Sequence, residues 1–442
     1  MNIQLSDHFN TKKLLRFTLP SIAMMIFTSI YGVVDGFFVS NYAGKIPFAA
    51  VNLIMPFLMI LGTVGFMFGT GGSAIVAKTM GEGDKEKANR YFSLFVYFST
   101  AIAVVLMVLG IVFIEPVSIF LGAEGEMITN CVKYGRIILL ALPFFVLQLE
   151  FQSFFITAEK PNLGLVTTVA AGVTNMVLDA LLVAVFSLGI EGAAAATALS
   201  QVVGGLFPII YFVRKNDSLL RLCKTSLNGR AIAKACVNGS SEFMSNISMS
   251  LVGMLYNIQL LKYAGENGVA AYGVMMYVSF IFASVFIGYS IGVAPVVGFH
   301  DGAGNHDELK GLLRKSIRII AVFSVCMMII AQLLAMPLSG IFVGYDSALM
   351  ELTVSGFRIF SLGFLFMGFA ILSSGFFTAL NDGITSAIIS FLRTLIFQCA
   401  AVFILPMIWE INGVWASVVA AEFMAALLGA VFLVIKRKKY HY

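Results

Sequence analysis

Four oxygen-bearing side chains lie inside stretches of sequence that are otherwise uncharged and strongly apolar. Asn175 and Asp179 share the stretch 163–190, and their i, i+4 spacing stacks them on one helix face, a turn apart. Asp35 and Thr197 lie in two further stretches of the same kind. A carboxylate at membrane depth is costly and usually marks an ion path or a partnered site. We therefore expect these four side chains to line one small pocket for a proton or Na+.

The chemistry of this set leaves the ion open. Carboxylate, amide and hydroxyl oxygens are hard ligands, which suit a hard cation such as Na+. Two close carboxylates at low dielectric cannot both ionise easily, so one of them would instead carry a proton. The alternative is a purely structural role, because buried polar side chains also form hydrogen bonds that join membrane helices.

The composition restricts the elements that can position these groups. Of the 442 residues, 59% are hydrophobic and only 12% are charged, which is more apolar surface than a soluble protein of this size could bury. Apolar runs of roughly 20 residues recur along the whole chain, the length that a spanning helix needs. Short alternating segments, typical of a membrane barrel, do not occur. The sequence therefore predicts an all-α integral membrane protein, whose first apolar run is its first membrane helix and not a signal peptide.

Twelve transmembrane helices fit the hydrophobic pattern. They are predicted near 14–40, 47–78, 91–114, 132–158, 163–187, 191–213, 232–262, 268–299, 316–337, 351–380, 384–408 and 412–435.

The distribution of basic residues predicts the orientation. With the N-terminus inside, most of the 28 Lys and Arg fall in cytoplasmic segments, which is the positive-inside pattern. Both termini are then cytoplasmic, in a multi-pass protein of the cell membrane. The net charge of +5 reflects this bias and does not indicate nucleic-acid binding.

An internal repeat relates residue n to residue n+221. Matching pairs include Tyr42-Ala43-Gly44 with Tyr263-Ala264-Gly265, and Pro116 with Pro337. A constant offset predicts two six-helix lobes that align without gaps. Because six is even, the lobes run in the same sense, with a pseudo-twofold axis along the membrane normal. We expect an N-lobe at 1–213, a cytoplasmic linker at 214–234 and a C-lobe at 235–442.

The repeat also provides an internal control for the pocket. The residues at the n+221 positions of the four pocket residues offer no carboxylate or amide, and include Tyr256 opposite Asp35 and Ala400 opposite Asp179. A purely architectural requirement should appear in both lobes. The asymmetry therefore favours a function specific to the N-lobe.

Other residues are candidates for a substrate cleft or for a moving part. Pro20 in the first helix would act as a hinge if it lies in the helix interior, or would merely start the helix if it lies in the first turn. Polar, methionine and aromatic side chains suit an adaptable cleft, although packing is the alternative fate of each. The possible cleft residues are Gln148, Glu150, Gln152, Tyr256, Met275, Met276, Phe280 and Phe286.

Several features exclude other functions. Five scattered cysteines and four histidines in tails or a loop show no metal-binding spacing. No Walker pattern occurs, so energy should come from an ion gradient. No catalytic set is visible, so we expect no enzyme activity and no cofactor beyond the coupling ion. Arg393, predicted near the inner end of a helix, and Glu422 are the remaining intramembrane charges.

The sequence resembles the MATE family, the multidrug and toxic compound extrusion transporters, in its bacterial branch. The order of several short motifs carries the resemblance rather than any one motif. They are Leu19-Pro20, Asp35, Met80-Gly81-Glu82-Gly83-Asp84, Ala158-Glu159-Lys160-Pro161, Asn175 with Asp179, Gly189-Ile190-Glu191-Gly192-Ala193-Ala194, Leu392-Arg393, Leu405-Pro406 and Gly413-Val414-Trp415.

The resemblance implies an antiporter that expels small organic cations or drugs by alternating access, in exchange for Na+ or H+. It implies a cation site at Asp35, Asn175, Asp179 and Thr197. Other members also use acids in helices 7, 8 or 10, where this chain offers only Glu242, predicted near the start of helix 7. We expect the chain to act as a monomer in the bilayer.

Three other classes of membrane protein are alternatives to this interpretation. A lipid-linked oligosaccharide flippase of the same superfamily would share the two-lobed shape, but should place several basic residues in the cleft. A major-facilitator transporter would carry a basic signature loop after helix 2, which is missing here. A membrane-embedded enzyme would need a catalytic set.

Overall fold

The computed structural model describes residues 3–344 and 346–442, and in these ranges the chain is helical with no strand. Ten helices are long and apolar enough to span a membrane, and a pair bent by 57° supplies a further span. The longest of them, Gly229–Gly302, breaks at Gly265 and therefore counts as two. The described residues thus form the twelve expected spans.

We number the spans α1 to α12 in chain order. They are α1 Thr11–Ala43, α2 Lys45–Gly81, α3 Lys85–Phe120, α4 Glu126–Leu140 continued as Leu142–Thr157, α5 Pro161–Val185, α6 Gly189–Val213, α7 229–264, α8 266–302, α9 His306–Val343, α10 Ser347–Ala379, α11 Gly383–Ile404 and α12 Pro406–Tyr440.

Most helices extend beyond their predicted apolar cores. The largest difference is in α9, which was predicted at 316–337 and begins ten residues earlier, at His306. Asn305 caps it by accepting a hydrogen bond from the Glu308 N–H, and Asp84 caps α3 in the same way. Side-chain oxygens at N-caps fix helix starts independently of hydrophobicity. Likewise α7 begins at Gly229, inside the segment 214–234 that was predicted as linker.

The two lobes, α1–α6 and α7–α12, repeat the same turns. Positive φ angles recur at Gly44 and Gly265, and again at Gly83 and Gly304, each pair 221 residues apart. The offset is not constant, however. At the turn after α4 and its counterpart after α10, the positive-φ residues are Glu159 and Asn381, which are 222 apart. The C-lobe therefore has one additional residue before this turn. At an offset of 222 as well as of 221, the counterparts of the pocket residues carry no carboxylate.

The lobes meet at one end of the bundle, which we call the basic face. Ion pairs such as Lys78 with Asp301 (2.8 Å) and Lys160 with Asp217 (2.8 Å) hold its segments together. The basic face comprises residues 3–16, 78–90, 158–161, 214–234, 299–318, 380–383 and 436–442.

Two helices, α2 and α8, cross at the basic face with their backbones in contact. A Cβ on Gly81 would lie 2.0 Å from the Phe299 carbonyl oxygen, and a Cβ on Gly302 would lie 2.0 Å from that of Lys78. Gly81 and Gly302 are repeat partners, so the crossing lies on the pseudo-twofold axis. Helices in lipid approach closely through small residues, since no hydrophobic force drives them together.

The N-terminal segment bridges the lobes at the same end. The Leu5 N–H donates to Glu159 Oε1 at the end of α4 (2.6 Å), and the Phe9 N–H donates to Glu308 Oε1 in α9 (2.9 Å). Leu5 and Phe9 are fully buried. The segment therefore joins the N-lobe to the C-lobe.

Pro20 lies in the interior of α1, which starts at Thr11. The alternative that it merely starts the helix is therefore wrong. Its neighbours Ser21 and Ile22 contact α8 of the other lobe, where a Cβ on Gly288 would lie 2.6 Å from the Ile22 Cα. The hinge role stays a prediction, at a point where the lobes touch.

The close inter-lobe contact gives a testable stability difference. A Cβ on Gly71 in α2 would lie 2.3 Å from the Ala235 carbonyl oxygen of α7, whereas one on Gly273 in α8 would meet nothing within 4 Å. Gly71→Ala should therefore destabilise this arrangement by about 1–3 kcal/mol through overpacking. Gly273→Ala should be neutral or slightly stabilising, because Ala is the better helix former. Unfolding in detergent measures both, and equal effects would contradict the contact.

Candidate functional site

Three helices of the N-lobe bring the four predicted pocket residues together. Asp35 comes from α1, Asn175 and Asp179 from α5, and Thr197 from α6. The Thr197 hydroxyl donates to Asp35 Oδ1 (3.2 Å), and Asn175 Nδ2 donates to Thr197 Oγ1 (3.4 Å). The side chains thus share one space, as the sequence predicts.

The Asp179 carboxyl group completes the cluster beside that of Asp35. Asp179 is fully buried, and neither of its carboxylate oxygens has a hydrogen-bond partner among the described residues. Among the described residues, no lysine, arginine or histidine pairs with either acid; the ion pairs lie elsewhere. Two adjacent carboxylates at low dielectric need a proton or a cation to compensate their charge.

The backbone of α5 changes at this point. Asp179 ends the regular helix, and Ala180–Val185 forms a π-helical segment. Such segments occur frequently at functional sites because they interrupt the regular hydrogen-bond ladder. Asp35 is half-buried whereas Asp179 and Asn175 are buried, so Asp35 lies on the more accessible side of the cluster.

The donor set fits a monovalent hard cation. The unpartnered oxygens are the two of Asp179 and the amide oxygen of Asn175, all buried. With the Asp35 carboxylate and the Thr197 hydroxyl they supply the oxygen ligands that Na+ prefers. Within the described ranges, no group of three His, Cys, Asp or Glu could hold a metal ion. The same oxygens serve equally for a shared proton.

Two tyrosines beside the cluster were not identified from the sequence. Tyr134 of α4 is fully buried and lies near Asp35, Asp179 and Thr197. Tyr31 of α1 lies near Asp35 and Gln148. Tyr31 precedes Asp35 by four residues, so helical spacing could have found it. Tyr134 carries no comparable signal, because a tyrosine in an apolar helix is common.

The three polar residues of α4 that were predicted to face a cleft are buried in the N-lobe. Glu150 is fully buried and accepts a hydrogen bond from the Ser99 hydroxyl of α3. Gln148 packs against Gly204 of α6. Glu150 therefore does not face an open aqueous cleft in this structure. The reason is that small residues of α2 and α6 let α4 approach closely and cover these side chains.

The predicted cleft residues of the C-lobe divide between its core and its surface. Met275 packs against Gly356, as does Trp415, and Phe286 packs against Gly368; Met275 and Phe286 are fully buried, so both belong to the core. They lie on the face of α8 that packs into the lobe, a distinction that apolar residues do not reveal in sequence.

The other three cleft candidates of the C-lobe differ from one another in burial and contacts. Tyr256 is buried, stacks on Tyr272 and donates to Gln398 Oε1 (2.7 Å). Met276 is half-buried and Phe280 is 49% exposed. The Phe280 carbonyl accepts from the Ser29 hydroxyl of α1 (3.5 Å), which places this turn at the boundary between the lobes.

The C-lobe holds a compensated charge on the counterpart helices. Arg393 of α11 donates to Glu422 of α12 through two bonds, 2.8 and 3.0 Å long. Arg393 lies ten residues into its span, about 15 Å along the helix axis, so the prediction that it sits near the inner end is wrong. Glu242 is in the fourth turn of α7, within reach of the Arg393 charge, and not near the start of the helix.

The paired arginine gives a second stability prediction. Arg393→Gln should destabilise the protein by about 3–5 kcal/mol, because it leaves the buried Glu422 carboxylate unpaired. Arg393→Met with Glu422→Met should recover most of that loss, since removing both charges is often nearly neutral. Arg90→Gln, which breaks a surface pair with Glu86, should cost less than about 1 kcal/mol. Denaturation in detergent ranks the variants, and a double variant as unstable as Arg393→Gln would contradict this reasoning.

Comparison with known proteins agrees with this architecture. The family model MatE matches the chain twice, over residues 20–181 and 243–404, once in each lobe. The multidrug export protein MepA of Staphylococcus saprophyticus is 26% identical over 97% of this chain and 94% of its own length. MepA of Staphylococcus aureus strain MRSA252 is 25% identical with the same coverage.

Solved structures share the whole fold. The outward-facing conformation of a multidrug resistance MATE family transporter of the MOP superfamily superposes with a TM-score of 0.94 at 23% identity, over 100% of this chain and 98% of that one. A MATE crystal structure in complex with MaL6 gives 0.93 at 23% identity, over 98% of each chain. Because the family model covers most of both lobes, the chain belongs to the MatE family of membrane transporters and is not an enzyme.

Proposed function

We propose that this chain is an antiporter that exports cationic, amphipathic organic compounds in exchange for Na+ or H+. The observation that carries the proposal is the pair Asp35 and Asp179, two adjacent acids in the N-lobe interior without a basic partner among the described residues. A permanent structural charge would be compensated, as Arg393 compensates Glu422 in the other lobe. An exchangeable ion is the remaining way to compensate this pair.

The proposed transport cycle is alternating access. The contacts between α2 and α8 and the N-terminal segment close the basic face in this arrangement. Separation of the lobes at these contacts would open the opposite state, with α1 bending at Pro20. Ion binding at the acid pair and substrate binding must then disfavour each other, because coupling between two sites is reciprocal.

The substrate class rests on the relatives. Proteins that match almost the full length of this chain are named multidrug export proteins, which supports varied organic compounds as substrates. Phe280 lies at the inter-lobe boundary and Met276 one helical turn before it, and flexible and aromatic side chains suit varied flat ligands. A positive charge on the substrate fits the uncompensated acids of the N-lobe.

The membrane orientation follows from the charge pattern. We propose that the basic face is cytoplasmic, in a cell membrane, with an N-lobe at 1–213 and a C-lobe that begins with α7 at Gly229 rather than at the predicted residue 235. The two lobes together make a complete two-fold unit, so a monomer suffices for transport.

A lipid-linked oligosaccharide flippase is the second candidate and has less support. An anionic head group would require uncompensated basic residues deep in the cleft. Arg393 is the basic residue at that depth, and Glu422 neutralises it through two hydrogen bonds. The positive charge that a flippase would use to bind an anionic head group is therefore already neutralised within the protein.

Removal of the acid pair tests the coupling role. Asp35→Asn with Asp179→Asn should lower gradient-driven efflux of a cationic fluorescent dye from proteoliposomes at least tenfold, because neither position can then exchange an ion. The control, Glu124→Gln with Glu126→Gln, neutralises two exposed acids and should leave efflux unchanged. Undiminished efflux in the Asp double variant would show that the coupling site is elsewhere.

Separately imposed gradients identify the ion. Proteoliposomes receive either a pH gradient in Na+-free buffer or a Na+ gradient at equal pH. The gradient that accelerates dye efflux should lose its effect in the Asp35→Asn, Asp179→Asn variant. If neither gradient accelerates efflux by the native protein, the antiport proposal is wrong.

A further inference from the structure

A groove of about 440 Å³ lies between α9 and α12 at the basic face of the C-lobe. Leu313 and Ile317 of α9 and Leu433 and Val434 of α12 supply its apolar walls. Both helices pack against α10, which lies between them, and the Tyr442 ring contacts Phe376 of α10 at 5.3 Å between ring centres. Val434 is 74% exposed, so the groove opens on the outer surface of the bundle, where lipid would lie.

Four basic side chains surround this groove. Lys310, Arg314 and Arg318 form an i, i+4, i+8 stripe on α9, and Arg437 faces them from α12. All four are exposed. No side-chain carboxylate of the described residues forms an ion pair with any of them. Arg437 is the one that the chain itself engages, because its Nε–H donates to the main-chain oxygen of Tyr442 (3.1 Å).

The acids near the groove can be accounted for individually. Glu308 accepts from His8 and the Phe9 N–H and lies near Lys315, on the buried side of α9. Asp382 pairs with Lys436 and lies 3.8 Å from Lys439. Asp307 is exposed one turn before Lys310 and forms no ion pair with it. The three basic side chains of α9 therefore keep their positive charge without an acidic side chain as partner.

The same groove in the N-lobe is filled by protein. The linker lies against α3, where the Arg221 N–H donates to Asn89 Oδ1 (2.6 Å) and the Cys223 N–H donates to Ser93 Oγ (2.9 Å). The Leu222 N–H donates to the Phe212 carbonyl of α6 (3.0 Å), and Leu220 is fully buried.

The repeat relates the two grooves residue by residue. Asn89 corresponds to Lys310 and Ser93 to Arg314, since each pair is 221 apart. In the N-lobe, neutral side chains bind the backbone of the linker. In the C-lobe, cationic side chains stand at the same positions. Of the described residues after α12, Tyr442 lines the groove and engages Arg437, whereas Lys310 and Arg314 stay exposed. A partner for these exposed cations would be anionic.

We propose that the groove between α9 and α12 binds an anionic phospholipid. Its phosphate would accept hydrogen bonds from Arg314, Arg318 and Arg437, and its acyl chains would follow the apolar walls into the bilayer. Charge and position both select this occupant, because basic pockets between membrane helices bind anionic head groups at the membrane boundary. A free anion would use the charge but leave the apolar walls exposed.

Native mass spectrometry of the full chain, titrated with dioleoyl phosphatidylglycerol or dioleoyl phosphatidylcholine, tests the proposal. The native protein should bind one phosphatidylglycerol at least tenfold more tightly than phosphatidylcholine. Lys310→Gln with Arg314→Gln and Arg318→Gln should weaken that binding at least tenfold, since each basic residue near a head group contributes about fivefold.

Two controls separate a site from general surface charge. Lys85→Gln with Lys87→Gln and Arg90→Gln removes the same number of charges from α3, the counterpart of α9, and should leave phosphatidylglycerol binding unchanged. Arg314→Lys with Arg318→Lys keeps the charge and should retain most of the binding, which also shows that substitution of this surface does not unfold the protein.

Three results would overturn the proposal. The first is that the α9 glutamine variant binds phosphatidylglycerol as tightly as the native protein does. The second is that the α3 control loses binding equally. The third is that glycerol 3-phosphate, which has the phosphate but no acyl chains, competes with the lipid at equal concentration. The last result would indicate a site for free anions instead of a lipid site.

Discussion

An acid inside a membrane protein must have its charge compensated, and the two lobes of this chain do so differently. In the C-lobe, Arg393 forms two hydrogen bonds with Glu422, so the compensating charge belongs to the protein. In the N-lobe, Asp35 and Asp179 lie together, and no basic residue whose side chain the structure describes pairs with them. Asp179 and Arg393 lie on counterpart helices, α5 and α11, so the fold does not by itself impose the difference. The sequence imposes it, and the proposed exchange of an external cation rests on it.

The contact between the lobes depends on glycines. Gly81 and Gly302 let α2 and α8 meet backbone to backbone on the pseudo-twofold axis. Packing of this kind between membrane helices is stabilised by close van der Waals contact and hydrogen bonds rather than by a hydrophobic force. The Lys78–Asp301 ion pair adds an electrostatic contact at the same crossing. In the proposed transport cycle, these are the contacts that would separate.

The sequence predicted which segments span the membrane and which acids lie inside them. It did not predict the direction in which a side chain points or how deep along its helix it lies. Apolar length predicted twelve spans, and the cost of intramembrane acids predicted the cluster at Asp35 and Asp179. Tyr134 was missed because a tyrosine in an apolar helix carries no such cost. Phe286 was assigned to a cleft and lies in the core, since an apolar side chain suits lipid, core and cleft equally. Arg393 was placed near the inner end although the predicted start of its helix, 384, differs from the observed start by one residue. A lone basic residue in an apolar run does not show in sequence whether it reaches the membrane surface or pairs inside the protein.

The differences between the two halves of the chain carry more functional information than their similarities. Where the halves agree, as in the turns at Gly83 and Gly304, the shared feature serves the fold. Where they differ at matched positions, packing alone cannot explain both versions, because each version packs in the same architecture. The uncompensated acids of the N-lobe are one such difference. The presence of Lys310 at the position that corresponds to Asn89 is another. By the same argument it supports the proposed anionic partner at the groove between α9 and α12.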